Sequence, residues 1–454
     1  MHTSFPALPL LAFSLRVPLS LAIPITVAAV VLVLLVVLGK IPLSYNLRNL
    51  IVRWRITMLT ALAFTLVISL QTVMLGFVSG MNKLTEDSGQ PGNVMVLSDG
   101  ALDELMSNLG ITDTADVERQ PLVERDERGE PLASREVYFV VNQPIEGPPG
   151  APVKRRFTQV RGIEDPPLAA RVHGLGLYPG GQWFSEAGVQ ALPGASGTGG
   201  EQAIQAVLGE GVAGQLGQDR GKERLEVGEI FDLGARKWVV VGILRSKGST
   251  FGSEIWAKRG LVGPMFGKES YSSIVLRTPS AAAARQLADD LTRNFKKSAV
   301  QAQPETEYFS KLSETNRQFQ TAIVFVAIVM AIGGVFGVMN TMFAAISGRT
   351  QDIGVMRILG FAKWQILVSF FLESLLIALV GGLLGCAIGF LANGWTATSI
   401  MSGGQGGGKF VVLELVIGAD TLLAGLLLAL AMGAVGGLLP AISAMRLKPL
   451  ESLR

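Results

Sequence analysis

Residues Ser347 to Ser374 read SGRTQDIGVMRILGFAKWQILVSFFLES. In the first half, Ile353, Met356 and the Ile358/Leu359 pair recur at three-to-four spacing, while Arg349, Gln351, Asp352 and Arg357 fall on the other side. That pattern predicts a short amphipathic helix. The second half, from Ile366, is apolar apart from Glu373 and two serines. A helix with one wet face running into an all-apolar helix marks a connector at a membrane surface, and such a helix can fit a groove on a cytoplasmic partner. The plainer alternative is an interfacial link with no partner.

Working outward, a crossing helix needs about 20 apolar residues for roughly 30 Å of hydrocarbon. Five segments qualify: Val17–Leu38, Ile56–Val78, Phe319–Ile346, Ile366–Leu391 and Val416–Leu439. The first reads as an uncleaved anchor: no Lys or Arg precedes Arg16, the apolar run is too long for a signal peptide, and no A-x-A pattern follows Leu38. Pro18 and Pro24 predict a kink in it. The 454 residues are 49% hydrophobic and 17% charged, and 31 of the 36 acidic and 27 of the 39 basic residues lie between Met81 and Arg317. A soluble insert between membrane pieces follows.

Basic residues in the short loops set the orientation. Lys40, Arg48, Arg53 and Arg55, then Arg349, Arg357 and Lys363, then Arg446, Lys448 and Arg454 occupy alternate loops, which places those loops and the C-terminus in the cytoplasm. The insert and the loop Asn393–Leu415 then lie outside. That loop contains Met401–Lys409, MSGGQGGGK, whose SGGQ core resembles the phosphate-binding signature of ATP-binding cassette ATPases. Outside the cytoplasm there is no ATP pool, and Phe410 after Gly408 and Lys409 breaks the only approach to a G-x-x-x-x-G-K-[ST] P-loop. A flexible Gly/Ser loop is the expectation.

Within the insert, Arg135–Val141, Arg156–Arg161, Glu229–Asp232, Lys237–Leu244 and Ser272–Arg277 are β-branched or alternating runs. Ala281–Lys297 has helical period, and strand, helix and Ala299–Ala302 resemble half of a split α+β module. Pro144–Pro152 and Leu192–Gly200 read as loops. Met81–Asp87 and Glu305–Arg317 predict helical stalks continuing the flanking spans. One cysteine, Cys386, and two histidines, His2 and His173, exclude an intrachain disulfide, a Cys or His metal centre and a Ser/His/Asp hydrolase site. The charge distribution speaks for membrane topology and against nucleic acid.

The run R-T-x-[DE]-I-G-V-x-R-x-L-G, followed by F-L-E-S and G-x-x-x-G, resembles the signature of FtsX-like permeases, the membrane subunits of macrolide-exporter and lipoprotein-release ABC systems. Tyr45–Leu62, Leu225–Leu244 and Leu439–Arg454 resemble the family's helix entry, outer strand pair and tail. The resemblance covers nearly all of Ser44–Arg454. Together with the five apolar segments it gives the expected fold: an α-helical membrane protein with five predicted transmembrane helices and a large α+β extracytoplasmic domain inserted between helices 2 and 3. Its expected divisions are an added anchor at 1–43, a first family helix at 44–80, the outer domain with stalk ends at 81–318, and a three-helix permease domain at 319–454 with a coupling helix at 348–360. The family usually has four spans and Glu in place of Asp352, so the anchor and that shorter carboxylate are departures.

By resemblance, Arg349, Asp352, Ile353, Gly354, Arg357 and Gly360 dock on a separate cytoplasmic ABC ATPase, which carries ATP and Mg; this chain carries no cofactor and no catalytic or metal site. Gly333/Gly337, Gly381/Gly385, Gly385/Gly389 and Gly433/Gly437 are small-xxx-small pairs that suit helix packing, within the chain or against a second permease copy or paralogue. Glu373, costly if exposed to lipid, is expected to face the bundle or a polar neighbour. The implied role is mechanotransmission in a bacterial inner membrane, moving a lipid, lipoprotein, peptide or drug. Membrane lipids and a periplasmic adaptor are further expected partners. The alternative is a non-transporting permease that regulates a cell-envelope enzyme.

Overall fold

The computed structural model describes residues 48, 50–52, 54–145, 154–192, 202–246, 248–295, 298–312, 314–403 and 407–447. The expected first span Val17–Leu38 lies outside these residues. Helix α1 (Trp54–Glu86) leads into β1 (Asn93–Ser98), α2 (Ile111–Glu118), β2 (Ala133–Ile145), β3 (Lys154–Ile163), α3 (Pro166–His173), β4 (Gly176–Leu177) and β5 (Val189–Ala191). Then come β6 (Gln202–Gly209), α4 (Glu210–Gln218), β7 (Ile230–Leu233), β8 (Arg236–Arg245), a 3-10 turn (Thr250–Ser253), β9 (Glu254–Lys258), α5 (Arg259–Met265), β10 (Ser273–Arg277), α6 (Ala281–Arg293) and β11 (Val300–Pro304). The chain continues through α7 (Glu305–Leu312), α8 (Glu314–Ser347), α9 (Thr350–Ile358), α10 (Lys363–Phe390), β12 (Thr396–Gly403), β13 (Gly407–Glu414) and α11 (Ala419–Arg446).

Two compact units result: Met1–Phe77 with Thr321–Gly394 and Leu415–Arg454, and Val78–Gln320 with Trp395–Glu414. Four helices among the described residues are long and apolar enough to cross a membrane: Thr57–Thr85, Gln318–Ser347, Lys363–Phe390 and Ala419–Arg446. Glycine lets them approach closely. A Cβ on Gly381 would lie 2.5 Å from Phe64 Cβ, one on Gly385 2.8 Å from Ile68 Cβ, and one on Gly389 2.7 Å from Thr72 Cβ. Successive turns of α10 therefore meet α1 with no room for a methyl group. Gly433 and Gly437 of α11 pack on Ala378 and Ser374 of α10 in the same way, whereas Gly333 and Gly337 of α8 have nothing within 4 Å.

The second unit is built on one sheet of order β11-β1-β10-β2-β3-β9-β6-β8-β4, with β5 on β6 and β7 on β8. Strand β1 lies between β10 and β11 and is antiparallel to both, so β10, α6 and β11 form a split βαβ unit. Ser280 caps α6 by accepting from Ala283 N at 3.2 Å, and Ala284, Leu287, Ala288 and Leu291 bury one face at helical spacing. Each such buried leucine contributes about 1.5–3 kcal/mol. The helix stops at Arg293, short of the expected Lys297.

The expected strands all form, β2 and β3 running longer at both ends than the alternation indicates. One expectation is overturned. The stretch read as a flexible Gly/Ser loop is a hairpin, β12 and β13 pairing from Thr396↔Glu414 to Gly403↔Gly407.

Candidate functional site

Helix α9 is the segment expected to meet a partner. Its end is shaped by Gly360, whose φ of +97° lies in the left-handed region that other residues rarely adopt. Phe361 N donates to Met356 O at 3.1 Å, and Arg357 Nη1 donates to Phe361 O at 3.0 Å, clasping the turn. Ile353 and Gly354 are buried, which seats the helix on its own unit. Asp352 is exposed, and beside it Val355, Ile358 and Leu359 are 47%, 61% and 73% exposed, so the outward face is mainly apolar.

Arg349 takes a different path. Its Nη1 and Nη2 donate to Glu373 Oε2 and Oε1, both at 2.9 Å, and both residues are buried. The guanidinium lies 5.9 Å from the Phe370 ring, and Thr57, Thr60 and Thr341 line the space around the pair. A bidentate, charge-assisted contact of this kind fixes both position and orientation. It ties the residue entering α9 to the body of α10. Arg349 is thus an internal joint, and Glu373 faces that joint.

A second cluster, in the other unit, arises from strand alternation. Register sets Tyr138, Arg161 and Trp256 side by side on β2, β3 and β9. Since side chains alternate between faces, Glu136 and Glu254, two residues away, share that face, while Val137, Phe139, Val160 and Ile255 fill the apolar core on the other. Arg161 donates to Glu254 at 2.6 and 2.7 Å, to Glu104 at 2.6 and 3.3 Å, and to Glu136. Glu136 also pairs with His173 Nε2 at 2.6 Å, and His173 Nδ1 lies 3.2 Å from Glu305. Lys409 of β13 completes the cluster, in ion-pair contact with Glu104 and 3.6 Å from Glu254.

Burial alone would raise the Glu136 carboxyl, but the charges of His173 and Arg161 outweigh it and hold it at about 2. Burial likewise drives Glu104 up, and Arg161 with Lys409 bring it well below the usual carboxylate range. For His173, burial opposes the charge, while Glu136 and then Glu305 raise it to about 10. The imidazole is therefore a cation at neutral pH. Four carboxylates and three cations are packed together in the interior, an arrangement that holds strands, not one that shuttles protons.

The cluster was open to detection in the sequence only as isolated charges within alternating strands, Glu136 in REVYFVV and Arg161 in RFTQVR. Such charges ordinarily mark the wet face of a sheet. Here that face is covered by α7, the 3-10 turn, the end of α3 and β13.

Comparison with known proteins then decides the lineage. Residues 57–294 match the model of the MacB-like periplasmic core domain, and residues 324–449 match the FtsX-like permease C-terminal model. The chain belongs to the MacB-like branch of the FtsX-like permeases. It is 26% identical over 253 residues to YknZ of Bacillus subtilis (strain 168), an uncharacterized ABC transporter permease, over 53% of this chain and 61% of that one. It is 29% identical over 298 residues to the macrolide export ATP-binding/permease protein MacB of Shewanella sp. (strain ANA-3), over 62% of this chain and 42% of that one. The chain thus spans less than two thirds of the length of these relatives. The crystal structure of the periplasmic region of MacB from Actinobacillus actinomycetemcomitans covers 52% of this chain and 98% of its own at 14% identity, with a TM-score of 0.33. By the two family-model matches and its apolar helices, this FtsX-like permease is a membrane protein with an extracytoplasmic domain, and the sheet unit carries the matched core domain.

Proposed function

We propose that the chain is the permease subunit of an ABC transporter of the mechanotransmission type. A separate cytoplasmic ATPase, carrying ATP and Mg, grips α9; the push passes through Arg349 and Glu373 into α10, and the extracytoplasmic domain moves. The observation that carries this reading is the outward face of α9, Asp352 with Val355, Ile358 and Leu359, inside the matched permease segment. An exposed apolar face rimmed by charge suits a groove on a protein partner. The relatives named for macrolide export support an amphipathic cargo, and lipid, lipoprotein and peptide belong to the same class. Such cargo is handled outside or taken sideways from the membrane. The reading also comprises a bacterial inner-membrane location, a cytoplasmic C-terminus, pairing with a second permease and contact with a periplasmic adaptor.

The test is co-purification from the native membrane. Tagged chain is expected to bring down an ABC ATPase whose turnover falls at least tenfold with Asp352→Lys and Leu359→Glu together. Absence of any ATPase, or turnover unmoved by the pair, refutes the assignment.

A further inference from the structure

The hairpin of β12 and β13 is poorly suited to stand by itself. Five glycines, Gly403, Gly404, Gly406, Gly407 and Gly408, fall within Met401–Lys409. Glycine loses the most backbone freedom on ordering and weakens a strand, and an isolated two-stranded hairpin is marginal in water. Yet its register runs unbroken from Thr396↔Glu414 to Gly403↔Gly407. Something beyond the hairpin must hold it.

Residues at every second position of β13 point to one face. Along that face Val411 and Leu413 are fully buried, and so is Lys409. Between them Val412 N donates to Ser253 Oγ at 2.8 Å. The Lys409 ammonium touches Glu104, lies 3.6 Å from Glu254, and sits 4.8, 5.3 and 5.8 Å from the ring centres of Tyr138, Phe309 and Tyr308. If the seat needed only burial, an aliphatic side chain would fill it at lower desolvation cost. A cation is needed because Arg161 is already divided among Glu104, Glu136 and Glu254. Rings facing an ammonium add cation–π attraction to the two carboxylates.

We propose that Lys409 is a latch: its ammonium, seated between Glu104 and Glu254, locks the hairpin into the extracytoplasmic domain and makes the connection between α10 and α11 a third stiff lead into it. The other leads are α1 and the α7–α8 segment. The mechanical meaning of the latch rests on the permease reading, since displacement of α10 and α11 then reaches the sheet through the hairpin as well.

Hydrogen exchange on the purified full chain in nanodiscs, without nucleotide, tests it. In Lys409→Met, amides of residues 407–414 are expected to exchange at least tenfold faster while β1 and β10 keep the parent rates. Rates within twofold of the parent in 407–414 overturn the latch. If Lys409→Met loosens β1 and β10 too, the double variant Lys409→Met/Glu104→Gln removes a cation and a carboxylate together and decides the matter. Fast hairpin exchange over a restored sheet upholds the latch; a protected hairpin, or a sheet still loosened, overturns it. Failure to find an ATPase would sink the transporter reading and leave this result standing, and unchanged exchange would sink the latch alone.

Discussion

Two buried arginines are held by carboxylates in opposite ways. Arg349 meets one carboxylate, Glu373, through two parallel hydrogen bonds of 2.9 Å, and so joins two helices at one point. Arg161 is shared by Glu104, Glu136 and Glu254, and the surplus negative charge draws in His173 and Lys409. That network gathers β2, β3, β9, β13, the end of α3 and the loop after β1. A single bidentate pair fixes the two helices at one point and leaves the rest of their lengths free to shift. A shared arginine permits no such motion, because any displacement breaks several contacts at once. The membrane unit therefore has a joint where the extracytoplasmic domain has a rivet.

The contrast can be broken most directly at Arg161. Arg161→Met leaves three carboxylates facing one another, and since losing one partner of a buried pair costs about 3–5 kcal/mol, the loss here is expected to exceed about 5 kcal/mol. Limited proteolysis of the full chain should show the extracytoplasmic domain cut at temperatures where the parent resists; a parent-like pattern would mean no rivet. Arg349→Met should cost about 3–5 kcal/mol, and Arg349→Met/Glu373→Leu should recover most of it, because apolar replacement of a whole buried pair is often neutral. Thermal unfolding of all four members of that cycle reads the coupling, expected to be at least about 2 kcal/mol.

pH sharpens the same comparison. The folded His173 value, about 10, lies above its ordinary 6.5, so its contribution is complete below pH 6.5 and is lost as pH rises from there through about 10. Glu136, held at about 2 against 4.5, contributes fully above pH 4.5 and loses that contribution as pH falls toward 2. The domain should melt highest between those limits, with an alkaline decline of the order of 5 kcal/mol that His173→Gln flattens. The smallest effect belongs to an exposed pair on α7: Lys311 Nζ and Glu307 Oε1 are 2.9 Å apart and well solvated. Glu307→Ala should change stability by less than about 0.5 kcal/mol in a denaturant melt.

Hydropathy and period made the four described spans, α9 and most of the central strands legible, because each depends on its own residues. Three parts depended on distant ones. Strand β9, Glu254–Lys258, is five residues long and takes its identity from parallel pairing with β3. The hairpin has loop composition and is ordered by the seats of Lys409, Val411 and Leu413. Arg349 sits on the polar side of its segment in the sequence, yet its partner, 24 residues further on, turns it inward. Asp352 is exposed on the polar side that the period gives it, whereas Ile358 and Leu359, read on one apolar side with Ile353, stand outside while Ile353 alone of these is buried.

The glycine contacts between α1 and α10 carry a last consequence. A seam that cannot admit a methyl at Gly381, Gly385 or Gly389 cannot admit an acyl tail either. An amphiphile meeting the protein from the bilayer finds no gap along that line.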